Sequence, residues 1–190
     1  MIKFSCHRLV LILVLFIPIM SHAAATAWQV VPNKSSLTFT ATQNNSPVSG
    51  EFKTFTGDIH FDPAALKDSS IVIIVDMNSV KTSYGEVADS LRTPDWFNIK
   101  VFPRGVFKAN AFVKTGDKTY QAKGTLTLRN KTIPVILDFE LEKYSQTDAV
   151  AKGSVMLTRT MFGVGQGEWA KTDEVKNEVQ VKFVLTAIKK

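Results

Sequence analysis

Apolar and polar residues alternate along most of the chain from about residue 36 onward, the period expected of strands with one buried face. The alternation is clearest near the C-terminus, where the apolar positions are Val179, Val181, Phe183, Leu185 and Ala187. It recurs over residues 37–41, 124–128 and 135–141, and less regular strands are predicted over 52–61, 71–75, 106–113 and 149–158. The pattern therefore predicts about eight strands or slightly more.

One segment departs from this alternation and predicts a short helix. Ser83 precedes Glu86 by three residues, which is the spacing of a capping box, and Val87 and Leu91 then share a face at i and i+4. Pro94 follows and predicts a short turn. We therefore expect one helical segment in an otherwise all-β chain.

Neither a linker nor a low-complexity stretch nor a convincing internal repeat interrupts the chain after residue 23, so one domain is predicted. Many consecutive antiparallel strands are typical of a closed barrel or a two-sheet sandwich. The alternation alone leaves both open. A barrel of about eight strands has room for one small ligand.

The first 23 residues predict a secretory signal peptide. Lys3 and Arg8 precede an apolar run over 9–20, and small residues ending in Ala23 suit a signal peptidase. The run is shorter than the roughly 20 apolar residues of a membrane-spanning helix. We expect a protein exported to the periplasm and cleaved near Ala23, with residues 24–190 as the mature domain.

Residue composition excludes several kinds of chemistry from this mature domain. The single cysteine, Cys6, leaves with the signal, which removes disulfides, thiolate metal sites and a cysteine nucleophile. His60 is the one histidine that stays, so a multi-histidine zinc site is excluded. A Gly-x-Ser-x-Gly motif is also missing. We therefore expect that the protein is not an enzyme and that it holds neither a metal ion nor a resident cofactor.

Charge adds little to this picture. The signal holds two of the 23 basic residues and none of the 17 acidic ones, which leaves the mature domain with a net charge of +4. The basic residues are spread along the chain, and none of their runs resembles a nucleic-acid-binding stripe. We expect no nucleic-acid partner. A solvated surface is favoured over weak attraction to an anionic membrane.

Phenylalanine is abundant, with 13 residues in the full sequence, and those after residue 23 are spread over most of the predicted strands. In a sandwich these side chains would fill the core. In a barrel they would line a deep apolar pocket suited to a long hydrophobic ligand. Each methylene buried there would contribute about 0.8 kcal/mol.

Several short motifs recur in the order and spacing of a known family. The most specific are VDMNSVKT over 75–82, DWF over 95–97, FPRGVF over 102–107 and RTMFGVG over 159–165. On these residues the chain resembles the YceI-like, polyisoprenoid-binding periplasmic proteins, and the resemblance covers nearly all of the mature domain. It implies an all-β fold with a short helix, a lipocalin-like antiparallel eight-stranded β-barrel.

The resemblance also implies a function. It implies a periplasmic carrier that holds a polyisoprenoid or similar amphiphilic lipid, such as a quinone or an isoprenyl phosphate, in the barrel lumen. The alternative is a non-catalytic accessory module for a membrane redox protein such as a b-type cytochrome. Family members often pair, so a homodimer is a further expectation.

Fourteen residues are predicted to bind the ligand. They are Phe39, Phe52, Phe55, Tyr84, Arg92, Trp96, Phe97, Phe107, Leu126, Leu128, Phe139, Arg159, Phe162 and Phe183. Of these we place Tyr84, Arg92, Trp96 and Arg159 near the mouth, together with Trp169. Arg92 or Arg159 would meet a phosphate or quinone oxygen, because a guanidinium suits such groups.

Overall fold

The computed structural model describes residues 25–190, so the predicted signal peptide at 1–23 lies outside the described residues. The described chain is almost entirely strands, with one α-helix. In chain order the elements are β1 Ala27–Val30, β2 Ser36–Gln43, β3 Ser46–Phe52, β4 Phe55–His60, β5 Ser70–Asp76, β6 Val80–Thr82, α1 Gly85–Arg92, β7 Arg104–Lys114, β8 Thr119–Leu128, β9 Lys131–Tyr144, β10 Asp148–Thr158 and β11 Glu178–Lys189.

Eight antiparallel strands close into a barrel in the order β1, β4, β5, β7, β8, β9, β10 and β11, and β1 also pairs with β11. Closure rests on short pairings such as Val30 with Ala187. The earlier part of β11 pairs with β2, and β3 and β6 extend the sheet from there. The eight-stranded barrel predicted by the resemblance is confirmed, and the sandwich is excluded.

The strand predicted over 52–61 is wrong in one respect, because Phe52 ends β3 and the remaining strand, β4, begins only at Phe55. The backbone N–H of Lys53 donates to the Ser79 carbonyl at 3.2 Å, and that of Thr54 donates to the Ser79 hydroxyl at 3.0 Å. Both amides therefore leave the sheet ladder at this point. The sequence also did not predict β1 or β6, since strands of four and three residues are too short to show alternation. It missed β3 as well, apart from its last residue, Phe52.

Helix α1 lies where the sequence predicts it, but the predicted cap is wrong. The helix begins at Gly85 with Tyr84 in the capping position, and no side chain caps it. The chain is still paired in β6 as far as Thr82, so the helical turn starts later than a Ser83 cap requires. Val87 and Leu91 pack into one apolar cluster, as their spacing predicts.

The core consists of two apolar clusters at opposite ends of the barrel. We name each cluster after its tryptophan. The Trp28 cluster includes Tyr120 and Ala122 from the early part of β8. The Trp96 cluster includes Leu126 and Leu128 from the late part of the same strand. In the Trp28 cluster, Phe61 makes edge contacts with three rings, at centroid distances of 5.4 to 5.6 Å, which are those of Phe112, Tyr120 and Phe139. The Trp96 cluster is completed by α1 and by the segment after β10.

Candidate ligand-binding cavity

An apolar cavity of about 280 Å³ lies inside the barrel and reaches both clusters. Trp28 and Phe61 line it at one end, and Leu91, Trp96 and Phe162 line it at the other. Its volume is close to the lower bound of ligand pockets, about 300 Å³. The barrel therefore encloses one space that extends between the two clusters.

Strand alternation explains why this space is apolar. The five apolar positions of β11 singled out from the sequence all line the cavity, and so do Ile71, Ile73 and Val75 of β5. Successive side chains of a strand point to opposite faces, so one residue in two enters the lumen. On almost every strand, the side chains that point into the lumen are apolar.

Twelve of the fourteen predicted site residues line the cavity. They are Phe39, Phe52, Phe55, Trp96, Phe97, Phe107, Leu126, Leu128, Phe139, Arg159, Phe162 and Phe183. Their contact with a ligand stays a prediction. The sequence analysis did not single out smaller lining residues such as Leu37, Met77 and Ala151. For Leu37 on β2 and Ala151 on β10, their inward position in the alternation was the signal that could have identified them, whereas Met77 lies in the turn after β5.

Tyr84 and Arg92 are not among the cavity-lining residues, and their contact with a ligand at the mouth stays a prediction. Tyr84 is 74% exposed at the start of α1. Arg92 donates to the Asp89 carboxylate at 2.8 Å and to the Val80 carbonyl at 2.8 Å, so it holds α1 against the start of β6. Trp169 packs on Trp96 with ring centroids 5.6 Å apart but is not part of the cavity lining.

Arg159 borders the cavity and is only 3% exposed. Its five N–H groups donate to main-chain carbonyls at 2.8 to 3.4 Å, which are those of Val164, Gly165, Lys171, Val175 and Lys176. Burial lowers the pKa of its guanidinium below the usual range. Because every donor is engaged, the prediction that Arg159 hydrogen-bonds a head group is wrong in this arrangement. The side chain instead organises the loop after β10.

A glycine makes this arrangement possible. Gly165 has φ of +79°, a left-handed conformation, and a β-carbon on it would collide with the Arg159 guanidinium. The Gly165 carbonyl can therefore approach the arginine closely. The glycine-rich stretch after β10 thus forms a loop that wraps around the buried guanidinium.

The two ends of the cavity differ in their unpaired donors and charge. The Trp96 indole Nε1 is a buried donor without a hydrogen-bond partner among residues 25–190, and the Arg159 guanidinium lies 5.6 Å from the Trp96 ring. At the other end, Trp28 Nε1 donates to the Phe61 carbonyl at 2.9 Å and is satisfied. An unpaired donor and a positive charge therefore mark one end only.

Residues 25–190 contain no group of three or more His, Cys, Asp or Glu side chains placed to hold a metal ion. His60 lies partly exposed on β4 with its Nε2 3.5 Å from a carboxylate oxygen of Asp58. None of the helices in this part of the chain is long and apolar enough to cross a membrane.

Comparison with known proteins matches this chain to one family. The YceI-like domain model matches residues 28–187. A UPF0312 protein of Vibrio cholerae is 30% identical over 95 residues, which are 50% of each chain. The protein named YceI of Salmonella arizonae is 33% identical over 92 residues, or 48% of each chain. The chain spans about half the length of the curated relatives it matches.

Solved structures share the fold over a larger part of the chain. BcnA of Burkholderia cenocepacia is 30% identical with a TM-score of 0.79, covering 83% of this chain and 98% of that one. A polyisoprenoid-binding domain of Saccharophagus degradans, described as implicated in plant cell wall breakdown, has a TM-score of 0.68 at 14% identity. It covers 87% of this chain and 99% of its own. At that identity the likeness extends to the fold alone.

Proposed function

This chain belongs to the YceI-like domain family, and from that premise we propose that it is a carrier for a polyisoprenoid or similar amphiphilic lipid. The observation that supports the proposal most directly is the enclosed apolar cavity between the Trp28 and Trp96 clusters. The polyisoprenoid-binding domain of Saccharophagus degradans, which has the same fold, adds support.

The cavity suits an apolar chain because it supplies burial without hydrogen bonds. Each methylene transferred from water into such a lining contributes about 0.8 kcal/mol. Its inward residues give no hydroxyl, carboxylate and imidazole set that would serve a hydrolase or a lyase. We therefore propose a binding protein and not an enzyme.

The head group of the lipid belongs, in this proposal, at the Trp96 end. That end has the unpaired indole N–H and the positive charge of Arg159, whose own donors are engaged. A buried phosphate needs several donors, whereas a carbonyl oxygen is satisfied by one. Of the two expected head groups, a quinone fits this end better than an isoprenyl phosphate.

The place of action is also part of the proposal. The charged start, the apolar run over 9–20 and the small residues up to Ala23 support export and cleavage, and thus a periplasmic carrier. The homodimer and the b-type cytochrome partner stay predictions that the resemblance implies.

The carrier function is tested by measuring the lipid content of the purified protein. We would express the full chain with its signal in a bacterium, purify the periplasmic protein without detergent, and identify extracted lipids by mass spectrometry. We expect an isoprenoid or isoprenoid quinone near one mole per mole of protein.

A pair of variants on β10 makes the test specific to the lumen. Ala151→Trp puts a large side chain into the cavity lining and should lower bound lipid at least tenfold. Met156→Trp adds a comparable side chain at a position that is 59% exposed and should leave it unchanged. The parent protein could also be purified without lipid and fail to take up added isoprenoid quinone. That result would contradict the carrier function and favour the accessory module.

A further inference from the structure

A group of basic residues surrounds an exposed valine at the Trp96 end of the barrel. We name this group the Val101 corner and define it by Lys100, Val101, Arg104, Arg129 and Lys131. Val101 is 62% exposed, and Lys100, Arg104 and Lys131 are exposed as well. Val101 is the most exposed of the large aliphatic side chains among residues 25–190.

Contacts bring these residues together from three elements. The Arg129 guanidinium lies 5.7 Å from the ring of Phe102, next to Val101, and donates to the Pro94 carbonyl at 2.8 Å. The turn between β8 and β9 sets Lys131 opposite Leu128, and β7 begins at Arg104 beside the end of β8. The corner is therefore a continuous surface.

The charge of the corner is largely uncompensated. None of its four cations forms an ion pair with a carboxylate among residues 25–190, whereas Lys53, Lys143 and Lys152 do elsewhere. Two acids lie nearby: Asp95 faces Arg129, and Asp76 lies opposite Arg104 in the β5–β7 register. Four positive charges thus face two negative ones around Val101.

Arg104 of the corner precedes the lining residue Gly105 on β7 and so points away from the lumen, whereas Lys131, directly opposite the lining residue Leu128, stands at the rim of the barrel on the inward-facing side of β9. Gly105, which follows Arg104, and Leu128, which precedes Arg129, are both lining residues, as are Trp96 and Phe97. The loop that carries Lys100 and Val101 covers this end. Its main-chain hydrogen bonds mostly return to α1 or to the loop itself, as in Phe97 N–H to Leu91 O. An apolar molecule passing through this loop would take a short path between the corner and the cavity.

We propose that the Val101 corner docks the protein on the surface of an anionic lipid bilayer. The four cations contact lipid head groups, and Val101 enters the boundary between head groups and acyl chains. Each basic residue near an anionic surface strengthens binding about fivefold, and salt screens the attraction. The surface goes beyond the carrier function, because docking on a bilayer does not require an occupied cavity.

Vesicle co-sedimentation of the mature protein at low salt tests this surface. The probes are vesicles of phosphatidylcholine alone and vesicles in which one third of the lipid is phosphatidylglycerol. We expect binding to the anionic vesicles only, and loss of that binding in 1 M salt, where the Debye length is about 3 Å.

Two triple variants of equal charge locate the binding surface. Lys100→Gln, Arg104→Gln and Lys131→Gln together should weaken binding roughly a hundredfold. The control variant replaces Lys108, Lys123 and Lys182, which are exposed on the barrel wall, by glutamine. It should weaken vesicle binding less than fivefold. Val101→Ser alone should weaken it severalfold. Arg129 stays unchanged because it also holds the Pro94 carbonyl.

Several outcomes would overturn the proposal. They are equal losses in the two triple variants, equal binding to neutral vesicles, or failure to bind anionic vesicles. Binding to native membranes that protease treatment abolishes would assign the corner to a protein partner instead. Lipid extracted from the cavity of the corner variant should equal that of the parent, so failure of docking and failure of the carrier function are read separately.

Discussion

Arg159 shows at the scale of a single residue how this chain accommodates a buried charge. Its guanidinium has no carboxylate partner among the described residues, and five main-chain carbonyls surround it instead. Carbonyl dipoles satisfy the donors, and the Trp96 ring lies beside the charge. The residue is therefore a structural clamp for the loop between β10 and β11.

Replacing this clamp should be costly. We expect Arg159→Met to lower the free energy of unfolding by about 3 kcal/mol or more, because several buried carbonyls lose their donors. Arg159→Lys should recover only a minor part, since an ammonium group cannot reproduce the planar five-donor geometry. Urea unfolding followed by circular dichroism measures both.

Arg104→Met is the matched control for that experiment. Arg104 is exposed and donates no side-chain hydrogen bond to another described residue, so its replacement should change stability by less than about 0.5 kcal/mol. If the Arg159 and Arg104 variants had equal free energies of unfolding, that result would contradict the structural role of Arg159.

The sequence predicts the apolar residues of the site much better than the polar ones. Phe39, Phe107 and Phe183 could be placed in the lumen because a large apolar residue on the inward phase of a strand has few other positions. The acceptors of Arg159 lie 5 to 17 positions away on an irregular loop. No local pattern reveals such contacts, so a head-group role was predicted where a structural role is found.

The segment from α1 to the start of β7 differs from the strands at the scale of elements. Strands β10 and β11 are each paired along both sides. The segment over 85–103 instead makes few main-chain hydrogen bonds to the rest of the described chain. Examples are Met77 N–H to Pro103 O and Gly165 N–H to Asp95 O, whose partners lie in connections between strands. It is nevertheless the element that covers the Trp96 end.

This difference predicts uneven hydrogen exchange. We expect amides over 85–103 to exchange at least tenfold faster than those of β10 and β11, because local opening there breaks fewer hydrogen bonds. Exchange followed by mass spectrometry measures the rates, and adding an isoprenoid quinone should slow exchange in this segment. Uniform protection across the domain would contradict the expectation.

Strand prediction succeeded where one face of a strand is buried over several residues, as in β9 and β11. It failed at Lys53 and Thr54, whose amides bond to Ser79, a residue distant in sequence. Helix α1 was predicted from Val87 and Leu91, but its first residue was not, since pairing in β6 decides where the strand ends. Local patterns carry no information on such partners.

Two tyrosines, the buried Tyr120 and the partly exposed Tyr144, affect the stability of the whole molecule. Burial and the negative charge of Asp117 raise the pKa of Tyr120 above its ordinary value, and burial and the charge of Asp62 do the same for Tyr144. Unfolded tyrosines ionise near pH 10, where the folded ones still keep their protons. Ionisation therefore favours the unfolded chain at alkaline pH.

The free energy of unfolding should accordingly be fully retained below about pH 10 and should fall as the pH rises above it. Urea unfolding between about pH 8 and pH 11 measures the slope. Tyr120→Phe should make the fall shallower while preserving the ring stack on Phe139, whose centroid lies 5.4 Å away. An unchanged slope in this variant would contradict the role of Tyr120.

Closure of the barrel through β1 and β11 has a consequence for the time at which the protein folds. Val30 pairs with Ala187, 157 positions later, so the ring cannot form until nearly the whole chain has been synthesised. Pairings of such separation form slowly, because a long loop must close before its contacts stabilise anything. A growing chain therefore stays open until its last strand is made, which is the state that passage through a secretion channel requires. The same geometry that encloses the cavity therefore delays closure of the barrel until synthesis is nearly complete, which favours an unfolded chain for the export that we propose.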